Sequence, residues 1–510
     1  MATLQSGQTI SIQLAEGESY TVTPSGTAQV STRGVSGSEL SAPRTLTSAQ
    51  TFGPYTEAGA ISIACLSGTV DYTQAGGPVY QDPTTGALVG VSRVALLPAL
   101  RSEALVKLTA GGPSFGKSSG LSASDQTISV KAEMEAPFHA VRLVAQNRSN
   151  AGQTARSALV GVSETNATDT SSNMAHVVIG GTAYTGLAGA TDQNGHRSVT
   201  WSGAASVTQG ASSTAPILSL SDWVPLKSVA RADGGSRPLL MWKQWQNGST
   251  GGNWAFNGIN AATRTATAAN RGRTVVIANT FNDGVSTPAR TYSLATTLMD
   301  TFPVVRFDRP VLSVWTVGDS ITSCSGLVTD NLSSWGARAC ADVSTDALPV
   351  VHANFGVPGY STSDFWANAK AHLVAGVPPP SVLVLAASVN DYGATPDVRK
   401  SETIRAAFMD ALSICRDYGI PFLVIMPMLA NENFAGATED NQRKALNIDM
   451  ASTAAAFGVG VLNFSGLLDG ATPEKWAAAY KFDNMHPNEA GIEAVMTPTL
   501  EQALRQILGT

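Results

Sequence analysis

Two kinds of hydrophobic pattern divide the chain. From about residue 308 onward, apolar positions come in short unbroken runs: Val311-Leu-Ser-Val-Trp315, Val350-Val351 and Val382-Leu-Val-Leu-Ala386. Runs without alternation are what strands covered on both faces require. Between and after them the apolar positions recur at helical spacing, over 333–342, 363–373, 401–418, 439–457 and 487–508. Strand alternating with helix predicts a parallel α/β sheet, whose ligands bind beyond the carboxyl ends of the strands.

The first three hundred residues or so alternate polar and apolar positions over short stretches and are rich in Gly, Ser, Thr and Ala. Stretches at 8–14, 19–23, 60–64 and 68–72 predict strands of a small β module occupying 1–75. A loop-rich connector follows over 76–126, with a short helix expected within 95–110. Further strands are expected at 127–131, 139–146, 158–163, 175–179, 198–201, 218–224, 239–244 and 274–278. Short strands separated by Gly, Asn and Ser turns predict a β-sandwich of jelly-roll type over 127–307, ahead of an α/β domain at 308–510.

Four turns in the α/β region carry the chemistry: Gly318-Asp319-Ser320, Asn354-Phe-Gly356-Val-Pro-Gly359, Asn390-Asp391 and Asp483-Asn-Met-His486. Each follows a predicted element, and all four gather at one sheet edge, in one shared cleft. A serine hydroxyl is a weak nucleophile until a base takes its proton. His486 is the base on offer, and Asp483 stands three residues earlier to orient its imidazole. A tetrahedral intermediate also needs donors: the backbone N–H groups of Ser320 and Gly359 and the side-chain amide of Asn390. Gly318, Asp319, Asn354, Gly356 and Asp391 are read as supporting residues. Each segment alone has a plainer reading, since Gly-Asp-Ser is a common turn and Asp-x-x-His suits a helix start. Their order and separation favour catalysis.

On these residues the segment from about 308 to 510 resembles the SGNH (GDSL-type) hydrolase superfamily. Block I matches at Gly318-Asp319-Ser320-Ile321, block II at Gly359, block III at Asn390, and block V at Asp483 and His486. The resemblance implies a flavodoxin-like, three-layer α/β/α fold and ester or thioester hydrolysis without metal or other cofactor. The chain departs from it at Ser388, where block III has glycine, which puts a side chain into that turn.

Competing signals are weaker. His352 and His372 lack an acidic partner at short range and read as packing or surface residues. Gly111 to Ser118 fits a phosphate-binding loop, and Gly116-Lys-Ser118-Ser-Gly120 fits a nucleophile elbow. Both lie in Ser/Gly-rich sequence without the strand and helix such loops join, and read as linker. Trp201, Trp223, Trp242, Trp245 and Trp254 crowd the sandwich region, where they serve either as core or as platforms for sugar rings.

Composition narrows the setting. With 43% hydrophobic and only 14% charged residues, the chain has ample material for a core. Its net charge of -6 opposes nucleic-acid binding. No apolar run is long enough to span a membrane, and the N-terminal residues lack the pattern of a secretory signal. Cys65, Cys324, Cys340 and Cys415 form no zinc spacing and are expected to be reduced, with Cys324 lying one turn beyond Ser320.

The layout also resembles bacteriophage tail fibres and tailspikes, on Ala49-Gln-Thr-Phe-Gly-Pro-Tyr55, Gly59-Ala-Ile-Ser-Ile63 and Gly68-Thr-Val-Asp-Tyr72. That resemblance implies location in a virion tail, attachment to other phage tail proteins through the N-terminal module and a homotrimer. It also implies deacetylation of an acetylated bacterial surface glycan during host recognition. The alternatives are a catalytically silent receptor-binding adhesin and a free carbohydrate acetylesterase.

Overall fold

The computed structural model describes residues 2–5, 9–14, 19–34, 39–52, 59–67, 69–75, 80–81, 88–89, 100–107, 126–147, 153–165, 177–179, 182–184, 195–210, 216–246, 257–258, 263–264, 271, 275–281, 293–294, 297–298, 301–324, 333–392, 398–433, 437–471 and 474–508. The chain forms two compact units, one of Met1–Ala99, Ala451–Gly460 and Arg505–Thr510, the other of Leu100–Met450 and Val461–Leu504.

In the first unit the alternating sequence makes two four-stranded antiparallel sheets. One runs Ala2–Gln5, Thr69–Ala75, Ser19–Pro24, Gln50–Phe52; the other runs Thr9–Leu14, Gly59–Ser67, Thr27–Gly34, Glu39–Leu46. Val22, Ala28, Val30, Leu46 and Ile63 turn inward from these strands. This region is β-rich, as its sequence predicts.

The second unit is organised by one strand, Thr301–Gly318. Its first half pairs antiparallel with Phe138–Asn147 and Arg101–Leu105. Its second half pairs parallel with Val350–Gly356 on one side and Val382–Ala386 on the other, and the latter pairs parallel with Phe422–Met426. The division expected between 307 and 308 therefore falls inside a continuous strand. The long strand is buried at nearly every position, with an exposed break only at Asp308-Arg-Pro310.

A second, all-antiparallel sheet carries Gln153–Ser163, Leu239–Gln246, Gln126–Glu133 and Val275–Phe281 side by side. Val130, Val160, Leu240 and Trp242 from this sheet share a core with Val141, Leu143, Val305 and Phe307 from the other. Two sheets packed over one apolar layer satisfy the alternation seen in the sequence.

The 95–110 region departs from expectation: Arg101–Leu105 is a strand, with Ala104 and Leu105 buried. Pairing with the long strand, reinforced by the 2.6 Å ion pair of Arg306 with Glu103, outweighs local helix preference. The 422–426 strand was not foreseen either. The phosphate-loop and elbow patterns at 111–120 lie outside the described residues.

In the α/β part the helices are Trp335–Val343, Thr362–Val374, Val398–Asp417, Ala437–Ala456 and Thr497–Leu508. The last is entered through Glu489–Gly491 and a π-helical stretch, Ile492–Met496. Among the described residues no helix is long and apolar enough to cross a membrane. The first parallel strand lies between the second and third, so connections diverge at its carboxyl end. Such a divergence opens a crevice where ligands bind.

Candidate active site

Register brings the turns together. Gly318 pairs with Gly356, and Val317 with Leu385, so the loops after three parallel strands leave the sheet at one level. Gly318 and Gly356 are demanded by close approach: an added Cβ would run into Thr322 Oγ1 at the first and the Ser323 backbone nitrogen at the second. Gly359 has no such crowding, but its φ of +79° lies where glycine is favoured.

Ser320 opens a single helical turn, Ser320–Ser323, capped by Asp319, whose Oδ1 accepts the Ile321 N–H at 2.9 Å. Asp319 is buried, and burial pushes its carboxyl above the ordinary range against the opposing hydrogen bonds from Ser388 and Ile321. Asn354 braces the same turn, donating from Nδ2 to the Thr322 carbonyl at 3.3 Å and accepting the Gly356 N–H at 2.8 Å. Asn354 is itself held by Lys107, whose Nζ donates to its carbonyl at 2.8 Å.

His486 reaches the nucleophile from the far end of the sequence. Its Nε2 lies 2.8 Å from Ser320 Oγ, and its Nδ1 lies 2.9 Å from both oxygens of Asp483. An ionised carboxylate only accepts, so the ring proton belongs on Nδ1 and Nε2 is left to accept from the serine hydroxyl. Burial raises the Asp483 carboxyl, but hydrogen bonds from the Met485 N–H and from His486 outweigh it and hold the group below its usual range. Asp483 therefore stays ionised against the imidazole.

Asn390 lies in the turn Val389–Asp391, and its Nδ2 donates to the Tyr360 carbonyl at 3.1 Å. One amide hydrogen is thereby fixed beside the Gly359 turn, and the amide has a second to offer. Asp391 points elsewhere: its Oδ2 accepts the N–H and hydroxyl of Thr362 at 2.9 and 2.6 Å, and burial raises its carboxyl. Ser388 takes an extended backbone, φ -83° and ψ 137°, which serine adopts without strain.

Several residues escaped the sequence reading. Glu432 braces the His486 segment: its carboxylate accepts Lys481 Nζ at 2.6 Å and the Trp476 N–H at 3.1 Å, while its own N–H donates to the Asn484 carbonyl at 2.8 Å. Asn433 accepts Asn484 Nδ2 at 3.0 Å. The available signal was the polar Asn431-Glu-Asn433 run after the 422–426 strand.

The rival groups are otherwise engaged or buried. His352 is buried with Nε2 2.9 Å from Thr316 Oγ1, and His372 is buried with Nδ1 2.9 Å from the Asn368 carbonyl. The Cys324 thiol is buried and pushed up to about 12 by that burial, which makes it a poor nucleophile. Trp201 and Trp242 are core residues, and Trp223 has the guanidinium groups of Arg306 and Arg142 stacked at 3.9 and 4.9 Å. The side chains of Trp245 and Trp254 lie outside the described residues. Among the described residues no group of three or more His, Cys, Asp or Glu gathers as a metal site.

A hydrogen-bonded serine, histidine and aspartate at the carboxyl edge of a parallel sheet is an arrangement in which a base can take the serine proton for acyl transfer. Residues 316–494 match the GDSL-like Lipase/Acylhydrolase family, and a domain of that family occupies the C-terminal region. No curated protein sequence matches the chain.

Solved structures similar to the chain include a lipolytic protein of the G-D-S-L family from Veillonella parvula, 20% identical, covering 38% of this chain and 97% of that one, TM-score 0.31. Axe2, an acetylxylan esterase from Geobacillus stearothermophilus, is 17% identical over 39% of this chain and 94% of its own, TM-score 0.30. A carbohydrate esterase family 2 enzyme plus carbohydrate binding domain from Corynascus thermopiles is 12% identical over 80% and 100%, TM-score 0.31. Likeness at these scores carries no functional inference.

Proposed function

We propose that the C-terminal domain hydrolyses carboxylic esters through Ser320, His486 and Asp483, and the observation that carries this is their unbroken hydrogen-bond chain. Ser320 Oγ attacks the acyl carbon as its proton passes to His486 Nε2, and Asp483 stabilises the imidazolium that forms. The oxyanion takes hydrogen bonds from the Ser320 and Gly359 N–H groups and the Asn390 amide. Collapse expels the alcohol, which receives the proton from His486. Water then repeats the sequence on the acyl-enzyme, and the carboxylic acid leaves.

The substrate we infer is an O-acetyl group on a bacterial surface polysaccharide, with the chain acting in a phage tail fibre or tailspike. Support comes from the sequence layout: a β-rich N-terminal module, then a β region, then the hydrolase. In this reading other tail proteins bind the N-terminal module and the chain is a homotrimer.

Hydrolysis of p-nitrophenyl acetate by the purified chain should disappear in Ser320→Ala with the melting temperature kept. Acetate release from acetylated bacterial polysaccharides tests the substrate. Equal p-nitrophenol release from both proteins, or none from either, would favour a silent adhesin.

A further inference from the structure

Ser388, the one position where the chain departs from the resembled block III, is fully buried at the centre of the site's polar network. Its Oγ lies 2.6 Å from Asp319 Oδ2 and 2.9 Å from the Tyr360 carbonyl, and it accepts the Asn390 N–H at 3.1 Å. Its own N–H donates to Thr362 Oγ1 at 3.0 Å, and Thr362 in turn donates to Asp391. Three loops thus meet on one side chain. Asp319 caps the turn of Ser320, Tyr360 follows Gly359, and Asn390 lies two residues on.

We propose that Ser388 is a positioning residue that fastens the nucleophile turn to the two loops bearing the other oxyanion donors, so that Ser320, Gly359 and Asn390 are held in one fixed arrangement. This rests on the serine-esterase reading above. A hydroxyl has one proton and here two acceptors. Donated to Asp319, it bridges the nucleophile turn to the Asn390 turn. The Tyr360 carbonyl then keeps Asn390 Nδ2 as its donor, and that bond orients the amide. Without the hydroxyl, Asp319 Oδ2 loses this bond and the Asn390 N–H loses its acceptor inside a buried cluster, where an unmet polar group is costly. The loops can then shift relative to one another. A misplacement of about 1 Å costs up to about a hundredfold in rate.

The test compares wild type, Ser320→Ala, Ser388→Ala and Ser388→Gly on p-nitrophenyl acetate, with active sites titrated by a fluorophosphonate. Glycine is the residue the resembled family carries there, so Ser388→Gly serves if Ser388→Ala does not fold. A merely structural role lowers the titratable fraction; a positioning role lowers turnover per titrated site. The expected result is a fall in kcat per site of about tenfold or more, with KM within about twofold. Ser320-dependent turnover with wild-type kcat per site in the folded Ser388 variant overturns this inference alone. Turnover in the wild type that does not depend on Ser320, or none at all, overturns both readings.

Discussion

Two aspartates near Ser320 are shifted in opposite directions, and each shift has a visible cause. Asp483, half exposed and fed by backbone N–H groups, is held low, while Asp319, sealed under the nucleophile turn, is pushed up. The folded chain therefore binds a proton at Asp319 more tightly than the unfolded chain does, where the group titrates at about 4. Stability from this group is full at low pH and declines as pH rises from about 4 through the folded value. Asn at 319 carries no such penalty. Melting curves should show Asp319→Asn gaining on wild type as pH rises above about 4, and parallel profiles would contradict this. Most of these side chains were legible in the sequence, because fixed spacing ties Asp483 to His486 and Gly318 to Ser320. The role of Ser388 was not, since it depends on loops distant in sequence meeting at one hydroxyl.

Among the elements, the segment 474–488 has little regular structure, and its geometry comes from its partners. Glu432 anchors it at three points, and Asp483 closes a turn onto the Met485 and His486 N–H groups. Glu432→Ala should loosen this segment without dissolving the sheet, lowering kcat by about tenfold and speeding amide exchange over 481–486. Unchanged exchange and rate would show that the loop holds itself. Strands and helices with strong period were readable: the 382–386 strand matches its predicted span, and the helices agree to within a few residues at most ends. The 95–110 reading failed because residues 101–105 become a strand only when the long strand is present to pair with them. The 422–426 strand, an apolar run between Pro421 and Pro427, carried a signal that was overlooked.

Across the second unit, the β region and the α/β part share more than the 301–318 strand. Arg101 donates to the Pro380 and Gly419 carbonyls at 3.1 and 2.6 Å, and Arg142 donates to Gly376 at 2.8 Å. Gly376 and Gly419 follow the carboxyl ends of helices 362–374 and 398–417, where a cation is favoured. Lys107 holds Asn354 from the same side. Hydrogen bonds to charged groups contribute about 1.5–3 kcal/mol each when well formed, against a total stability of about 5–15 kcal/mol. A fragment of residues 308–510 loses all of them together with residues 301–307 of the long strand. It should melt well below the full chain or fail to fold, and an unchanged α/β-domain transition by calorimetry would contradict that. Composition suggested several domains and the hydrophobic pattern changes at about residue 308, but one strand runs through that change, interrupted only by the exposed Asp308-Arg-Pro310.

In the proposed mechanism His486, oriented by Asp483, activates Ser320. Mass spectrometry of the chain after reaction with a fluorophosphonate tests it most directly. One adduct is expected, on Ser320, formed quickly by wild type and at least about a hundredfold more slowly by His486→Ala. An adduct on another serine, or equal labelling of Ser320 without His486, would contradict it.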